Sequence, residues 1–289
     1  MLKLNYRNTS AIVIGAVLLL SGAYLVYSYL QNNAPVVLLP TDTPVLETAT
    51  PTLTPTPIPK PATRIDYVRQ QLLADGFNSA QVEAVLTDKR LSLYPIKQVA
   101  YKAPDWNVIK QKLYSSEFVQ KGKDYLKAHQ AVFDKAEADY GVPKEVLVGI
   151  VAIETEFGVS SGTTPTFNAL YSRMQQWPEA TWLAQAKQLV ALSTYCLRTQ
   201  KDCFTIKGSY AGALGIVQFM PDSLLRYGID GNKDGAIDLY NVADAIPSAA
   251  NFLIGHGWAS DQTKALAGYY GSSVGYPEIV LMYASLLKN

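Results

Sequence analysis

Residues 141–158 read GVPKEVLVGIVAIETEFG, and this stretch predicts a buried α-helix. Pro143 suits the first helical turn, where its missing N–H removes no hydrogen bond, and Gly158 suits the position just past the helix end. Four residues between them recur at the i, i+3, i+4 and i+7 spacing of one helix face, namely Leu147, Ile150, Val151 and Glu154. The remaining sides are also largely apolar, so we expect the helix to lie in the core.

Glu154 is the one carboxyl group on this apolar face. Burial and the negative end of the helix dipole both disfavour its charged form, so we expect its pKa to be raised. A carboxyl group that stays protonated near neutral pH can protonate a sugar leaving group as a general acid. The alternative is a structural glutamate paired with an arginine or a backbone N–H. Glu156 lies about 200° further round the helix and should point away, to solvent or to a partner.

The composition is that of a globular protein without the charge pattern of a nucleic-acid binder. The chain has 289 residues and 48% of them are apolar, which allows one or two domains with an ample core. The net charge is only +1, whereas nucleic-acid binding usually requires a strongly basic patch. We therefore do not expect nucleic acid as a partner.

The N-terminal region predicts a membrane anchor. Residues 11–30 carry no charge and are numerous enough to span a bilayer. Lys3 and Arg7 precede them and no basic residue follows until Lys60, which places residues 1–10 in the cytoplasm and the rest of the chain outside. The alternative is a cleaved signal peptide with its small-residue site at 21–23. We favour the uncleaved anchor, because the apolar run continues well past that site.

Residues 31–63 form a Pro/Thr-rich linker. Half of the chain's 16 prolines fall in this stretch, which cannot build a core and favours polyproline geometry. At about 3.1 Å per residue it could extend roughly 90 Å from the membrane.

Residues 64–289 predict one mostly helical domain, without convincing alternating strands. Residues 65–74 and 79–87 resemble a short helical pair with Ser79 as an N-cap, and residues 117–139 form a longer amphipathic segment.

Two cysteines and two histidines limit the redox and metal chemistry. Cys196 and Cys203 lie close in sequence and outside the cytoplasm, which favours a disulfide over two free thiols. His129 and His256 are too few and too far apart for a zinc site.

A run of small residues at 208–221, GSYAGALGIVQFMP, lets backbones or a ligand approach closely. Ser209 and Gln218 are the polar side chains in an otherwise apolar run. The alternative is helix packing with two satisfied polar groups.

The next segment, residues 230–238, follows the pattern of an EF-hand calcium loop. Oxygen ligands are expected from Asp230, Asn232, Asp234, the backbone carbonyl of Ala236, and Asp238. At position 12 the pattern requires a bidentate Glu, but Asn241 stands there, so Asp244 would have to reach round. The alternative is a solvated turn.

Together these pieces resemble the catalytic domain of the lytic murein transglycosylase B family, glycoside hydrolase family 103. The resemblance covers residues 105–289 and is carried by 149–155 (GIVAIET), the 208–221 run, the calcium loop and 256–258 (HGW), in that order. It implies a lysozyme-like, mostly helical fold, one EF-hand-like Ca²⁺ site, and activity on the glycan strands of peptidoglycan.

The resemblance also implies roles for individual residues. Glu154 matches the catalytic glutamate, Ser209 and Gln218 match polar residues that line the cleft, and Tyr269 matches a cleft tyrosine. There are departures as well, because Tyr270 replaces a frequent Asn. Glu179 and Ala180 also replace two frequent arginines, and the segment between Trp258 and Tyr269 is much shorter.

No second carboxylate is apparent as a partner for Glu154, although a two-carboxylate glycosidase requires one. The resemblance implies instead that Glu154 acts first as acid and then as base, and that the product carries a 1,6-anhydro ring. The alternatives are a lysozyme-type muramidase and a non-catalytic, calcium-stabilised wall-binding module. We expect a monomer, held at the membrane by its N-terminal helix, with its domain outside the cytoplasm.

Overall fold

The computed structural model describes residues 62–96 and 104–289. The predicted cytoplasmic segment 1–10, the predicted anchor 11–30 and nearly all of the linker lie outside these residues. Within the part that is described, no helix has both the length and the apolar character needed to cross a membrane.

The described residues are mostly helical, as predicted. The α-helices are α1 (Arg64–Ala74), α2 (Ser79–Leu86), α3 (Trp106–Leu113), α4 (Ser116–Ala128), α5 (Gln130–Tyr140), α6 (Lys144–Thr155), α7 (Thr166–Gln176), α8 (Trp182–Thr199), α9 (Pro221–Tyr227), α10 (Val242–Gly255), α11 (Gln262–Tyr270) and α12 (Tyr276–Lys288). A short 3-10 helix covers Cys203–Thr205. Strands β1 (Thr164–Pro165) and β2 (Lys207–Gly208) pair antiparallel, a short ladder that the sequence did not predict.

The predicted helical pair is present, but its second helix is capped by a different residue. Asn78, rather than Ser79, accepts a hydrogen bond from the backbone N–H of Gln81, and the Gln81 side chain returns a bond to the N–H of Asn78. Asn and Ser are comparable N-caps, and the better reciprocal partner three residues on favours Asn78.

The predicted segment 117–139 is two helices rather than one. His129 has φ −119° and ψ 24°, which ends α4 and precedes α5. Both helices pack against α6, so the break lets each of them follow the surface of the same central helix.

Helix α6 is the centre of the core. Every residue from 146 to 153 is buried, and α4, α5, α10 and α12 pack around the helix. A helix that is apolar on all sides is stable only when other elements cover all of those sides, which is the arrangement found here.

The ends of α6 differ from the prediction. Pro143 is the N-cap rather than a residue of the first turn. At the other end Glu156, Phe157 and Gly158 have φ angles of 51°, 63° and 89°, so the helix stops at Thr155. Glu154 is therefore the next-to-last residue of the helix, closer to its end than the position of Gly158 indicated.

Candidate active site

Glu154 accepts a hydrogen bond from a tyrosine. Its side chain is partly buried, and its Oε1 accepts a 2.8 Å bond from the hydroxyl of Tyr276. No salt bridge to it is found among the described residues. Burial raises the pKa of Glu154 to about 7, and the Tyr276 bond opposes that rise. The carboxyl group can thus hold a proton near neutral pH, and no arginine of the described residues forms an ion pair with it.

Tyr276 is held in place by stacked tyrosines. It is fully buried at the first position of α12. Its ring lies 4.8 Å from that of Tyr270 and 6.2 Å from that of Tyr269, with interplanar angles of 9° and 8°. The packed rings fix where its hydroxyl points. Sequence reasoning missed Tyr276, since no local pattern connects it with a residue 122 positions earlier.

The loop 214–219 is bound to the end of α6 and to Tyr269. The hydroxyl of Thr155 donates to the carbonyl of Ile216 at 2.8 Å, and the hydroxyl of Tyr269 donates to the carbonyl of Val217 at 2.7 Å. Tyr269 therefore touches both the stack around Tyr276 and the backbone beside Gln218.

Gln218 occupies a strained position in this loop. Its φ is 51°, and its Nε2 donates to the carbonyls of Gly215 at 2.7 Å and Ser161 at 3.3 Å. Left-handed backbone at a non-glycine residue is uncommon and concentrates at functional sites. The side-chain amide thus ties the loop to the segment that follows α6.

Ser209 lies inside its own loop. It is 1% exposed, and its Oγ accepts a 3.0 Å hydrogen bond from the backbone N–H of Ala213. Neither Ser209 nor Gln218 is hydrogen-bonded to Glu154 within the described chain. Tyr276 contacts both Glu154 and the ring of Tyr269, and the Tyr269 hydroxyl bonds to the backbone of Val217, next to Gln218.

Glu156 lies beyond the end of α6 with a φ of 51°, so the predicted turn of 200° along one helix does not apply to it. Its carboxylate forms an ion pair with Lys112, at the end of α3.

In the loop 230–238, side-chain oxygens accept hydrogen bonds from the backbone N–H groups of the same loop. Asp230 accepts from the N–H groups of Asp234 at 3.1 Å and Gly235 at 2.9 Å. Asp234 accepts from the N–H of Ala236 at 2.9 Å, and its other oxygen accepts from the side-chain amide of Asn232. Among the described residues, no three His, Cys, Asp or Glu side chains are grouped closely enough to hold a metal ion.

Position 12 of the calcium-loop pattern is Asn241, where a bidentate Glu is required. Asn241 caps α10 by accepting from the N–H of Ala243 at 3.0 Å. Asp244 is fully buried and accepts from Gly231 at 3.0 Å and from Asp238 at 2.7 Å. Asp244 therefore joins the two ends of the loop through backbone N–H groups. Carboxylate and amide oxygens at positions 1, 3 and 5 suit a hard cation, but the loop lacks the bidentate acid of a tight site.

Cys196 and Cys203 form a disulfide. Cys196 lies near the end of α8 and Cys203 begins the 3-10 helix, with 5.5 Å between their Cα atoms. Closing so short a loop stabilises the fold by on the order of 2–3 kcal/mol.

Comparison with known proteins identifies the domain. Residues 61–269 match the family model described as the transglycosylase SLT domain. The chain is 31% identical over 226 residues to the membrane-bound lytic murein transglycosylase B of Escherichia coli K12, an alignment that covers 76% of this chain. It spans 61% of that relative, or about three fifths of its length.

Solved structures share the fold. Soluble lytic transglycosylase SltB1 of Pseudomonas aeruginosa matches with a TM-score of 0.68 and 21% identity over 78% of this chain and 97% of that one. The E. coli lytic transglycosylase Slt35, solved in complex with calcium, matches with a TM-score of 0.59 and 21% identity over 77% and 87% of the two chains. Both confirm the lysozyme-like, mostly helical architecture that the resemblance implied. The family match covers more than half of the sequence, and the chain accordingly belongs to the transglycosylase SLT domain family.

Proposed function

We propose that this protein is a peptidoglycan lytic transglycosylase. It cleaves the β-1,4 bond between N-acetylmuramic acid and N-acetylglucosamine and leaves a 1,6-anhydro ring on the muramic acid. The observation that carries the proposal is the carboxyl group of Glu154, which has a pKa of about 7 and no cation beside it in the described residues. Family membership and the name of the E. coli relative support it.

The chemistry requires one carboxyl group that acts twice. Protonated Glu154 gives its proton to the glycosidic oxygen, and the bond to the anomeric carbon of the muramic acid breaks. The substrate's own acetamido group supports the positive charge on that carbon. Carboxylate Glu154 then takes the proton of the C6 hydroxyl, whose oxygen closes the ring on the anomeric carbon. The carboxyl group ends protonated and no water is consumed.

A one-carboxylate route agrees with the surroundings of Glu154. Burial raises the pKa of Glu154, and the hydrogen bond from Tyr276 opposes that rise. No second carboxylate of the described residues contributes to the shift. The neighbouring acid Glu156 is paired with Lys112. This favours the lyase over a hydrolase that needs a second acid across the bond.

The same proposal gives a substrate-binding role to Gln218 and positioning roles to Ser209 and Tyr269. Gln218 uses its amide N–H groups on backbone carbonyls, so its side-chain oxygen can accept the N–H of the substrate's acetamido group. Ser209 and Tyr269 act by holding the loop in shape, since their hydroxyl groups are engaged with backbone atoms.

We also propose that Asp230, Asn232, Asp234, the Ala236 carbonyl and Asp238 hold a structural Ca²⁺. The E. coli structure solved with calcium supports this, as does the set of hard oxygen donors. Bound calcium would brace the loop before α10 and take no part in the reaction. We further propose that residues 11–30 anchor the chain and that the domain, acting as a monomer, lies on the wall side of the membrane.

Digestion of purified sacculi tests the function. Wild-type protein should release muropeptides with 1,6-anhydro ends, and Glu154→Gln should release none, while Glu156→Gln serves as the matched control on the same helix end. Reducing-end products, each heavier by one water in mass spectrometry, would indicate a muramidase instead. Binding to sacculi without solubilisation would indicate a non-catalytic wall-binding module.

A further inference from the structure

Arg173 is a buried arginine that has no ion-pair partner among the described residues. The residue is 3% exposed, and its Nε donates a 3.1 Å hydrogen bond to Oε1 of Gln185, a neutral group. No ion pair to it is found among residues 62–96 and 104–289. The intervening segment 97–103, KQVAYKA, has no acidic residue in its sequence.

The interior does not neutralise this charge. Burial lowers the pKa of Arg173 to about 10, so the guanidinium remains cationic at neutral pH. A buried cation without a counter-charge is costly, and buried arginines are normally paired with carboxylates or phosphates. The folded protein therefore keeps a cation where packing alone would favour an apolar side chain.

Two aromatic rings flank the guanidinium. It lies 4.1 Å from the ring centroid of Trp177 and 5.9 Å from that of Tyr210, and Tyr210 is 37% exposed. The terminal nitrogens Nη1 and Nη2 donate no hydrogen bond to any described residue. Arg173 thus offers the planar fork of N–H donors that fits a carboxylate, beside a ring that reaches the surface.

The position of Tyr210 connects this cation to the segment that follows Glu154. Tyr210 lies in the same run, 208–218, as Gln218. One end of that run pairs with Thr164 through Gly208, and the other is bound to the carbonyl of Ser161 through Gln218. The segment 156–165, which leaves the catalytic helix, therefore packs against both ends of the run that presents Tyr210.

We propose that Arg173, flanked by Trp177 and Tyr210, binds a carboxylate carried by the muramic acid of the glycan strand. The inference rests on the proposed function and adds a recognition site to it. The carboxylate has two sources: the free lactyl group of strands without peptides, or the stem peptide of strands that retain them.

Three soluble substrates separate these sources. They are strands without peptides, strands with stem peptides, and strands whose carboxylates are converted to neutral methylamides. Arg173→Met should raise KM roughly tenfold to a hundredfold on the strands whose carboxylate the site binds, with kcat little changed, because one charge-assisted pair is lost. On the methylamides it should behave as wild type. Arg198→Met removes an exposed arginine from α8 and is the matched control.

Binding and stability provide readouts that do not depend on turnover. In the Glu154→Gln background, calorimetry with peptide-free and peptide-bearing strands should show a matching loss of binding affinity when Arg173 is replaced. Arg173→Met removes the hydrogen bond to Gln185 and both ring contacts as well as the charge, so its Tm is measured to exclude unfolding as the cause of an affinity loss. Arg173→Lys, which keeps the charge without the fork, should bind with intermediate affinity and carries the binding test if the Met variant folds poorly.

The outcomes distinguish this inference from the proposed function. Missing anhydro products from wild-type protein would defeat the function, while the binding measurements would still report on Arg173. Equal loss on charged and methylamidated strands, or no loss on either charged strand, would overturn the carboxylate site.

Discussion

The hydroxyl of Tyr276 donates a 2.8 Å hydrogen bond to Oε1 of Glu154, across 122 residues of sequence. The donor belongs to the first turn of α12 and the acceptor to the last turn of α6. The bond stabilises the carboxylate form, while burial favours the protonated form. Together they place the pKa of Glu154 at about 7, where the same group can give a proton and then take one back.

Replacing Tyr276 with phenylalanine should move the pH dependence of the enzyme. Without the donated bond the pKa of Glu154 rises further, because the carboxylate loses its stabilising partner. Activity that requires protonated Glu154 falls as the pH rises through this pKa, so the alkaline limb of the kcat profile should shift to higher pH. The control is Tyr283→Phe, a second tyrosine of α12, whose hydroxyl donates a 2.8 Å bond to the carbonyl of Phe118 and not to Glu154. An unmoved or acid-shifted limb in Tyr276→Phe would contradict the assignment.

Glu154→Gln should stabilise the protein in a pH-dependent manner. The pKa of Glu154 is raised from 4.5 to about 7 in the folded state, so folding favours the protonated group. Its contribution is intact below the unfolded pKa and is lost as the pH rises through the folded pKa. The gain should be small at about pH 4 and on the order of 2 kcal/mol at about pH 8, after allowance for partial exposure of the side chain. Urea denaturation at both pH values measures it, and a gain independent of pH would exclude this explanation.

Calcium should bind weakly and raise the melting temperature of the protein. The loop supplies oxygens at positions 1, 3 and 5 but no bidentate acid at position 12, so we expect a Kd of roughly 10⁻⁴ to 10⁻³ M. Asp230→Asn should reduce the calcium-dependent shift in differential scanning fluorimetry, and chelation should abolish it in the wild type. Asp124→Asn, an exposed acid of α4, should keep the full shift. If calcium leaves the melting temperature of the wild-type protein unchanged, the proposed calcium site is wrong.

Gly215→Ala should be strongly destabilising. Gly215 has a φ of 72°, and an added Cβ would lie 2.2 Å from the carbonyl oxygen of Leu239. Gly141 has a similar φ of 65° but nothing within 4 Å of an added Cβ, so Gly141→Ala isolates the backbone strain. We expect about 1 kcal/mol for Gly141→Ala and at least twice that for Gly215→Ala. Equal losses of unfolding free energy would show that the backbone at Leu239 relaxes to accommodate the added Cβ.

Sequence alone was sufficient for features that depend on near neighbours. The apolar period of residues 146–153 predicted a buried helix ending in an acid, and that helix is the core element of the fold. The spacing of Cys196 and Cys203 likewise predicted the bond that the structure contains. Helical periodicity and short-range pairing are set by covalent geometry within a few residues, so they can be read directly from the chain.

Only the tertiary structure decided which distant groups meet. Tyr276 reaches Glu154 because α12 packs on α6, and Asp244 is used to close its loop because the start of α10 is buried. Among the described residues Arg173 has no ion-pair partner, because its contacts with Gln185 of α8 and with Tyr210 are to neutral groups. These contacts depend on how the chain packs over separations of six to more than a hundred residues, and no local period encodes that packing.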